Sequence, residues 1–396
     1  MIEACDGRRV VITGLGVLAP CGVGVDDFWA GLRKPAEPLV ERKIPDFDAA
    51  QWGIKHVEAR RMDLFAQFAV AAAVQALGDA GLDTASPYAE ERCGILLGTG
   101  IGGAHAWETQ TQVLLDKGPA RVSPLVVPMV MPNAGAAAVS LRFGWRGPVE
   151  TVCTACAAGT HAVSNGAKLV ASGRCDAVLV GGSEAAHSGL MSTGFDNMKA
   201  LSNSGISRPF DIERDGFCSA EAGGMLVLEE ASAAEARGAH IYAEIAGSGS
   251  SADAHHLTAP APDGRGAIAS MRAALADAGL EPGQITHVNA HGTSTQLNDL
   301  TEAKAVAEVF GAGGPAITSI KGVTGHSLGA AGAVEAVALA LTFHHRELPP
   351  TMGTENVDPA FEIDLVTEPR SWTPGPALSN SFAFGGHNGT VVFLPA

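Results

Sequence analysis

Three groups of residues in this chain could do chemistry on one another. The first is Cys156 in the run VETVCTACAAG, where the alternating residues 149–152 give way to small residues and then to an apolar stripe at helical spacing. A cysteine where a buried strand turns into a helix sits in the field of the helix N-terminus, which favours thiolate over thiol. The small residues after it leave room for a substrate, and such a thiolate is a nucleophile for an acyl group. The second and third groups are histidines in glycine-rich loops, each following a buried strand: His291 in VNAHGTST and His326 in KGVTGHSLGAAGAVE. Neutral imidazoles there could hydrogen-bond the enolate of a thioester without a metal. The tetrahedral intermediate of acyl transfer also needs N–H donors. The amide of Cys156 is one, and an amide of the loop Phe384-Gly385-Gly386 could be another. Lys321 and Glu335 lie near His326 in sequence and read as a structural ion pair in the same wall.

Plainer readings stand beside these. Cysteine is often a small buried hydrophobe, and the chain has seven: Cys5, Cys21, Cys93, Cys153, Cys156, Cys175 and Cys218. Cys153 and Cys156 spell C-x-x-C, but no second pair exists and His161 is the only further ligand type close by. Three ligands do not close a structural zinc site, so neither metal nor redox use is expected. A single histidine among 13 is ordinarily surface or satisfied core. Two in glycine-rich loops after buried strands are harder to dismiss.

The elements that must position these groups follow from the apolar pattern. Residues 9–13 read as a buried strand running into the glycine loop Gly14-Leu15-Gly16, whose G-x-G lacks the third glycine of a dinucleotide site. Residues 60–82 form a long apolar helix with Gly81 as its C-cap. Residues 93–97, 176–182 and 224–229 read as buried strands, and 124–148 as an Ala-, Met- and Pro-rich stretch suited to a subunit interface or pocket lining. Residues 232–240 make the best junction. From there the order repeats. AEIAGSGS echoes VVITGLGV, and the helix ending ALADAGLE echoes the one ending ALGDAGLD. Strand 286–289 echoes 93–97, and strand 317–321 with the helix from 325 echoes the cysteine strand–helix. Residues 377–381 and 389–394 form a terminal hairpin. The expectation is an α/β chain of two similar halves, 1–240 holding the cysteine and 241–396 both histidines, with the site where equivalent strand ends meet.

Composition narrows the class. The 396 residues are 46% hydrophobic and 17% charged, which fits a compact α/β protein with much buried sheet. A net charge of −16 argues against nucleic acid and against anionic membrane surfaces. Scattered cysteines without a disulfide framework point to a reducing cytoplasm. The opening MIEACDGRRVVITG carries no signal-peptide apolar segment, and residues 328–343, interrupted by Glu335, read as buried rather than membrane-spanning.

The motifs RGPVETVCTACAAG, VNAHGTST, KGVTGHSLGAAGAVE, RPFDIERDGF and NSFAFGGHNG, taken together, resemble the β-ketoacyl-(acyl carrier protein) synthases of the type II elongating kind, in the thiolase-like superfamily. The resemblance runs from RRVVITGLG to NGTVVF. It implies a duplicated fold layered αβαβα and a cytoplasmic acyltransferase that joins an acyl chain on Cys156 to malonyl-acyl carrier protein with loss of carbon dioxide. It implies that His291 and His326 assist decarboxylation, that Lys321 is an active-site lysine and that Glu335 is its buried partner. Phe384 then gates the site and gives the second oxyanion amide. Thr293 and Thr295 hold the phosphopantetheine arm, which arrives on the carrier protein, so no resident cofactor is expected. Ile101 and Phe195 shape the acyl pocket. Arg60, Arg61, Arg121 and Lys199 fall at positions similar to the basic patch for the acidic carrier, which a chain of net charge −16 needs locally. The expected assembly is a homodimer, or a heterodimer with a chain-length-factor-like paralogue in a polyketide pathway.

The chain departs from the family pattern at Ser219-Ala220-Glu221-Ala222, at Ala383 and at His387, which leaves the substrate open between fatty acid and polyketide. A thiolase would carry a second cysteine in the C-terminal glycine loop, an initiating synthase an asparagine in place of His326, and a non-catalytic partner subunit would lack Cys156.

Overall fold

A computed structural model describes residues 7–83 and 86–396; Cys5 lies outside them. Ten strands and five long helices position everything that follows. The first half supplies β1 (Val10–Ala19), α1 (Leu64–Ala80), β2 (Cys93–Gly98), β3 (Val149–Val152), α2 (Ala158–Ala171), β4 (Ala177–Glu184) and β5 (Ala222–Glu230). The second supplies β6 (Ala243–Ala252), α3 (Arg265–Ala278), β7 (His287–Asn289), α4 (Gln296–Phe310), β8 (Ala316–Thr318), α5 (Ala331–His345), β9 (Ala377–Ala383) and β10 (His387–Leu394).

Pairing makes the duplication explicit. Outward from the middle the order is β1-β5-β4-β2-β3 on one side and β6-β10-β9-β7-β8 on the other, with Asp364–Leu365 added beyond β8. The first two junctions of each half are antiparallel and the next two parallel. A three-residue antiparallel ladder, Val10–Ile12 on Ala243–Ile245, joins the halves through β1 and β6. Helix α1 covers β1 and β5 from outside, and α3 covers β6 and β10. Helices α2 and α5 pack on each other and on strands of both halves. The layers therefore run α, β, α, β, α.

Helix α5 is apolar nearly all round because it is the inner layer: residues 331–343 are all buried. Its extension back to Leu328 is long and apolar enough to cross a membrane by composition, yet it lies inside the protein, as its Glu335 implied. Both central helices begin the same way. A single 3₁₀ turn, Ala155–Ala157 or Leu328–Ala330, precedes each, and its first residue is left-handed, φ 48° at Ala155 and 47° at Leu328. Cys156 and Gly329 thus occupy equivalent positions. A non-glycine residue in this region carries about 1 kcal/mol or more of strain, which the packing around each turn must hold.

Three expectations need correction. Gly14 and Gly16 lie within β1, not in a loop, because α1 crosses there: a Cβ would stand 2.2 Å from the Ala76 carbonyl at Gly14 and 2.0 Å from that of Ala72 at Gly16. Gly247 and Gly249 in β6 do the same under α3. Strand β3 is not buried; it is an outer strand of the sheet with Val149 and Glu150 exposed. Lys321 is not on a strand, since β8 stops at Thr318 and Lys321 opens the short helix Lys321–Thr324. The junction contains a helix, Ala231–Ala236, which buries Ala231 and Ala234 against Val11.

Candidate active site

The three chemical groups meet. Cys156 Sγ and one ring nitrogen each of His291 and His326 lie within 4.8 Å of one another, all buried. Cys156 arrives from the turn before α2. His291 follows β7, His326 follows the helix Lys321–Thr324, and Phe384 follows β9. Cys156 comes from the first half and His291, His326 and Phe384 from the second, so the chemistry sits between the two halves.

His326 Nε2 is 3.0 Å from the sulfur. The two imidazoles stand edge to face with centroids 5.3 Å apart, and Phe217 and Phe382 wall them in. Strand-like pairing fixes the His326 backbone: its N–H donates to the Cys218 carbonyl (2.7 Å) and its carbonyl accepts from the Ala220 N–H (3.0 Å). The segment 219–222 that departs from the family pattern is therefore the seat of this histidine. Beside it, Ser219 Oγ lies 3.1 Å from Nε2 of buried His187, and Glu221 lies 3.5 Å from the other nitrogen.

Below the imidazoles Lys321 and Glu335 form an ion pair, both buried. Lys321 Nζ also donates to the His291 carbonyl (2.6 Å) and stands 3.3 Å from His291 Nδ1. Burial, then the Lys321 charge, hold both imidazoles well below the ordinary histidine range, so both are neutral at neutral pH. Burial pushes the Glu335 carboxyl up to about 7 even with the ammonium beside it.

The thiol departs from expectation. Burial pushes Cys156 up to about 12, and the opposing pull of Lys321 and of the Phe384 and Cys156 amides is too weak to compensate. The helix mouth was expected to favour thiolate, but desolvation in a dry wall outweighs a partial charge. The resting group is a thiol bonded to His326, and the sulfur becomes anionic only as it transfers its proton. The same amides, Cys156 N–H and Phe384 N–H, are in place for an oxyanion.

A pocket of about 390 Å³ leads from the surface to this point. Cys156, His291 and His326 lie in its wall with Phe384, and Thr293, Thr295 and Phe195 line it too. Thr293 and Thr295 share a hydroxyl–hydroxyl bond of 2.9 Å. Ile101 is not in that wall. With Phe195 it packs on the apolar cluster of Cys156, Ala186 and Leu328. Of the four basic residues, all exposed, Lys199 is on the pocket rim; Arg60, Arg61 and Arg121 do not line it. Ala383 packs on the cysteine cluster, and the His387 ring stands over Gly385 in the turn after Phe384, where Gly385 and Gly386 have φ of 81° and 73°. Cys153 is exposed, its Sγ 3.4 Å from the Gly100 carbonyl.

Sequence reading missed the buried acids that hold the loops. Glu302 accepts the amides of His291 (2.8 Å) and Gly292 (2.7 Å), and Asp299 those of Thr293 (3.0 Å) and Ser294 (3.1 Å). Their signal was present: two acids three residues apart at the start of α4, directly after the histidine loop. The triad's donor set resembles a metal site in spacing, but the Lys321 ammonium at 3.3 Å from His291 opposes a second cation.

A buried cysteine, two neutral imidazoles and an amide pair at the centre of a duplicated αβαβα fold define a thiolase-like enzyme that works on thioesters. The chain belongs to the β-ketoacyl synthase family: the N-terminal domain of that family matches residues 35–234 and the C-terminal domain residues 242–355. It is 43% identical to a 3-oxoacyl-[acyl-carrier-protein] synthase 2 of Synechocystis sp., covering 98% of each chain. Among solved structures it is similar to the ishigamide ketosynthase/chain length factor, with TM-score 0.90 and 35% identity over 98% of this chain and 99% of that one. It is also similar to a type II polyketide ketosynthase solved in complex with its acyl-carrier protein, with TM-score 0.86 and 32% identity over 98% and 100%.

Proposed function

We propose that the chain condenses an acyl group carried on Cys156 with malonyl-acyl carrier protein, releasing carbon dioxide and 3-oxoacyl-acyl carrier protein. The observation that carries this reading is the meeting of Cys156 Sγ, His291 and His326 within 4.8 Å at the foot of one pocket. The sulfur attacks the thioester carbon of the incoming acyl chain and its proton passes to His326. The oxyanion faces the Cys156 and Phe384 amides, and collapse expels the carrier thiol, which takes the proton back. Malonyl carrier protein then enters with its arm along Thr293 and Thr295. Its carboxylate leaves as carbon dioxide, and the enolate oxygen receives hydrogen bonds from the two neutral imidazoles. The carbanion attacks the acyl carbon, and collapse of the second oxyanion returns the cysteine sulfur.

Uncharged imidazoles suit this task. A charged one would hold the malonyl carboxylate as an ion pair and oppose its loss, whereas a neutral donor favours the enolate over the ground state. Lys321 sets that neutrality, Glu335 balances Lys321, and Ile101 and Phe195 meet the acyl chain beyond the sulfur.

The partner that delivers both substrates is an acyl carrier protein, met at the rim by Lys199, with Arg60, Arg61 and Arg121 adding attraction from farther out. A second chain covers the edge of β3 and the apolar surface beside it, where Leu125, Val127, Met131 and Leu141 are exposed. A relative solved as a ketosynthase/chain length factor pair favours a paralogue as that chain, and the native mass of the protein alone and with a candidate paralogue decides it. Free thiols at six described cysteines suit the reducing cytoplasm.

The test is intact mass after incubation with acyl-acyl carrier protein: one acyl group adds to the wild type and none to Cys156→Ala. His291→Ala and His326→Ala each still load and lose carbon dioxide release. Label on another cysteine, or normal decarboxylation by either histidine variant, overturns the assignment.

A further inference from the structure

The turn that carries Cys156 has a counterpart in the second half, and an internal carboxylate fills it. Gly329 takes the place of Cys156 at the start of the other central helix, and its N–H points at Glu184 Oε2 (3.1 Å). Glu184 ends β4 and is fully buried. The same oxygen accepts from the Gly100 N–H (2.5 Å), while Oε1 accepts from Thr99 Oγ1 (3.0 Å) and the Ile101 N–H (3.3 Å). Four donors converge on this carboxylate, and no ion pair of it is found among the described residues. The ligands come from two loops only, and each carries a side chain into the cluster around the sulfur: Ile101 from one, Leu328 from the other. The fit is close. A Cβ on Gly100 would stand 2.9 Å from Glu184 Oε2, and one on Gly329 would stand 2.1 Å from the Gly100 amide.

We infer that Glu184 is a positioning residue for acyl-chain selection: by gathering the 99–101 and 328–329 loops onto one carboxylate it fixes the gap between Ile101 and Leu328 through which a chain on Cys156 must pass. The gap is set from behind, by a group that touches neither substrate nor sulfur. Each donor is an N–H or O–H aimed inward, and the ionised carboxylate, an acceptor-only group, satisfies all four; they oppose the burial that pushes this carboxyl up to about 7. Glutamine at this place would turn an NH₂ against the Ile101 amide in one orientation, or against the Gly100 and Gly329 amides in the other, and the loop holding Ile101 or the turn holding Leu328 would move off. A displacement of about 1 Å there leaves a two-carbon acyl group, which ends at the sulfur, nearly unaffected. It misaligns a chain long enough to run between the two side chains.

The inference rests on Cys156 as the acyl acceptor, and the experiment separates the two ideas. Loading of Cys156 is followed by intact mass with acetyl, butyryl, octanoyl, dodecanoyl and palmitoyl carrier proteins, for the wild type, Glu184→Gln and Thr99→Val. Enzyme preloaded with a short chain is then mixed with malonyl carrier protein for a single turnover. Glu184→Gln is expected to change the ratio of long-chain to short-chain loading by roughly tenfold or more, with single-turnover condensation of the preloaded short chain within about twofold of wild type. Thr99→Val, which removes one donor and leaves three amides, shifts the ratio in the same direction by less, and serves if Glu184→Gln does not fold. A wild type that never loads defeats the parent assignment. A wild type that loads, with every chain slowed by one common factor in both variants, reduces Glu184 to a structural residue and overturns the inference.

Discussion

Lys321 joins stability to chemistry, and removing it should break both in ways that can be told apart. In Lys321→Ala the Glu335 carboxylate loses its cation inside α5, with about 1% of its surface exposed. Stranding one member of a buried pair typically costs about 3–5 kcal/mol. The Glu335 carboxyl already stands at about 7 with the ammonium beside it, so without the cation it rises further and holds its proton at neutral pH. That places the loss at pH 7 near the lower end, about 3 kcal/mol. With an unfolding entropy of about 2 cal/mol/K per residue over 396 residues, the melting temperature falls by about 4 °C. The sign of the pH dependence follows. A carboxyl whose folded value lies above its unfolded one loses stability as pH rises through the folded value. Wild type has finished losing near pH 7, whereas the variant continues. The gap should therefore widen above pH 7, by up to about 1.4 kcal/mol per pH unit. Lys321→Met with Glu335→Leu replaces the pair by apolar groups and restores the melting temperature, since a well-packed apolar pair is no worse than a buried ion pair. It does not restore turnover, expected to be down about 100-fold, because the charge that opposes imidazolium and favours the cysteine anion is gone. Thermal unfolding from pH 6 to 9 and steady-state condensation read the two effects. A gap that stays constant with pH, or a double variant that regains full turnover, refutes the reasoning.

Two further outcomes follow from the geometry. Because Cys156 rests as a thiol raised to about 12, its alkylation by iodoacetamide should climb about tenfold per pH unit from pH 7 to 10 with no plateau, followed by mass; a plateau below pH 8 would mean a thiolate already formed. Gly249→Ala and Gly16→Ala, each placing a Cβ 2.0 Å from a helix carbonyl, should cost similar stability, about 1–3 kcal/mol, whereas Gly78→Ala, with open space inside α1, should gain about 0.5–1 kcal/mol; unequal losses at the first two would deny that the halves use one packing device.

Much of the site was legible because its chemistry needs particular residue types beside particular turns. Cys156, His291 and His326 each stand among small residues at the mouth of a loop or turn, and such loci are rare enough to be noticed one at a time. The glycines were legible as repeats but misread as loops. Period-two alternation cannot distinguish a glycine that bends a chain from one that admits a helix, and only α1 and α3 lying across β1 and β6 decide it. The state of the sulfur was misjudged because sequence shows the helix mouth and hides the burial. Ile101 and the basic residues were legible only through the family resemblance. The resemblance placed them at an acyl pocket and a docking patch; Ile101 packs on the cysteine cluster, and of the four cations Lys199 lines the pocket. Glu302, Asp299 and Glu184 were passed over for a simple reason. An acid beside an apolar run looks like the end of an element, when here it is the group that every nearby amide points to.

Duplication explains why the site has room for both steps of the reaction. One ancestral turn, repeated, gives two helix mouths facing one axis, each with N–H groups aimed at an anion. Were both used alike, two cysteines would compete for one acyl chain across a few ångströms. At this one pair of equivalent positions the halves differ in kind, cysteine in the first and glycine in the second. Cys156 holds the first mouth, where its own amide faces the pocket, and the Gly329 amide at the second donates to the buried Glu184 carboxyl. With that mouth occupied, uncharged donors from His291 and His326 remain for the incoming unit, and the site can release a carboxylate instead of binding one.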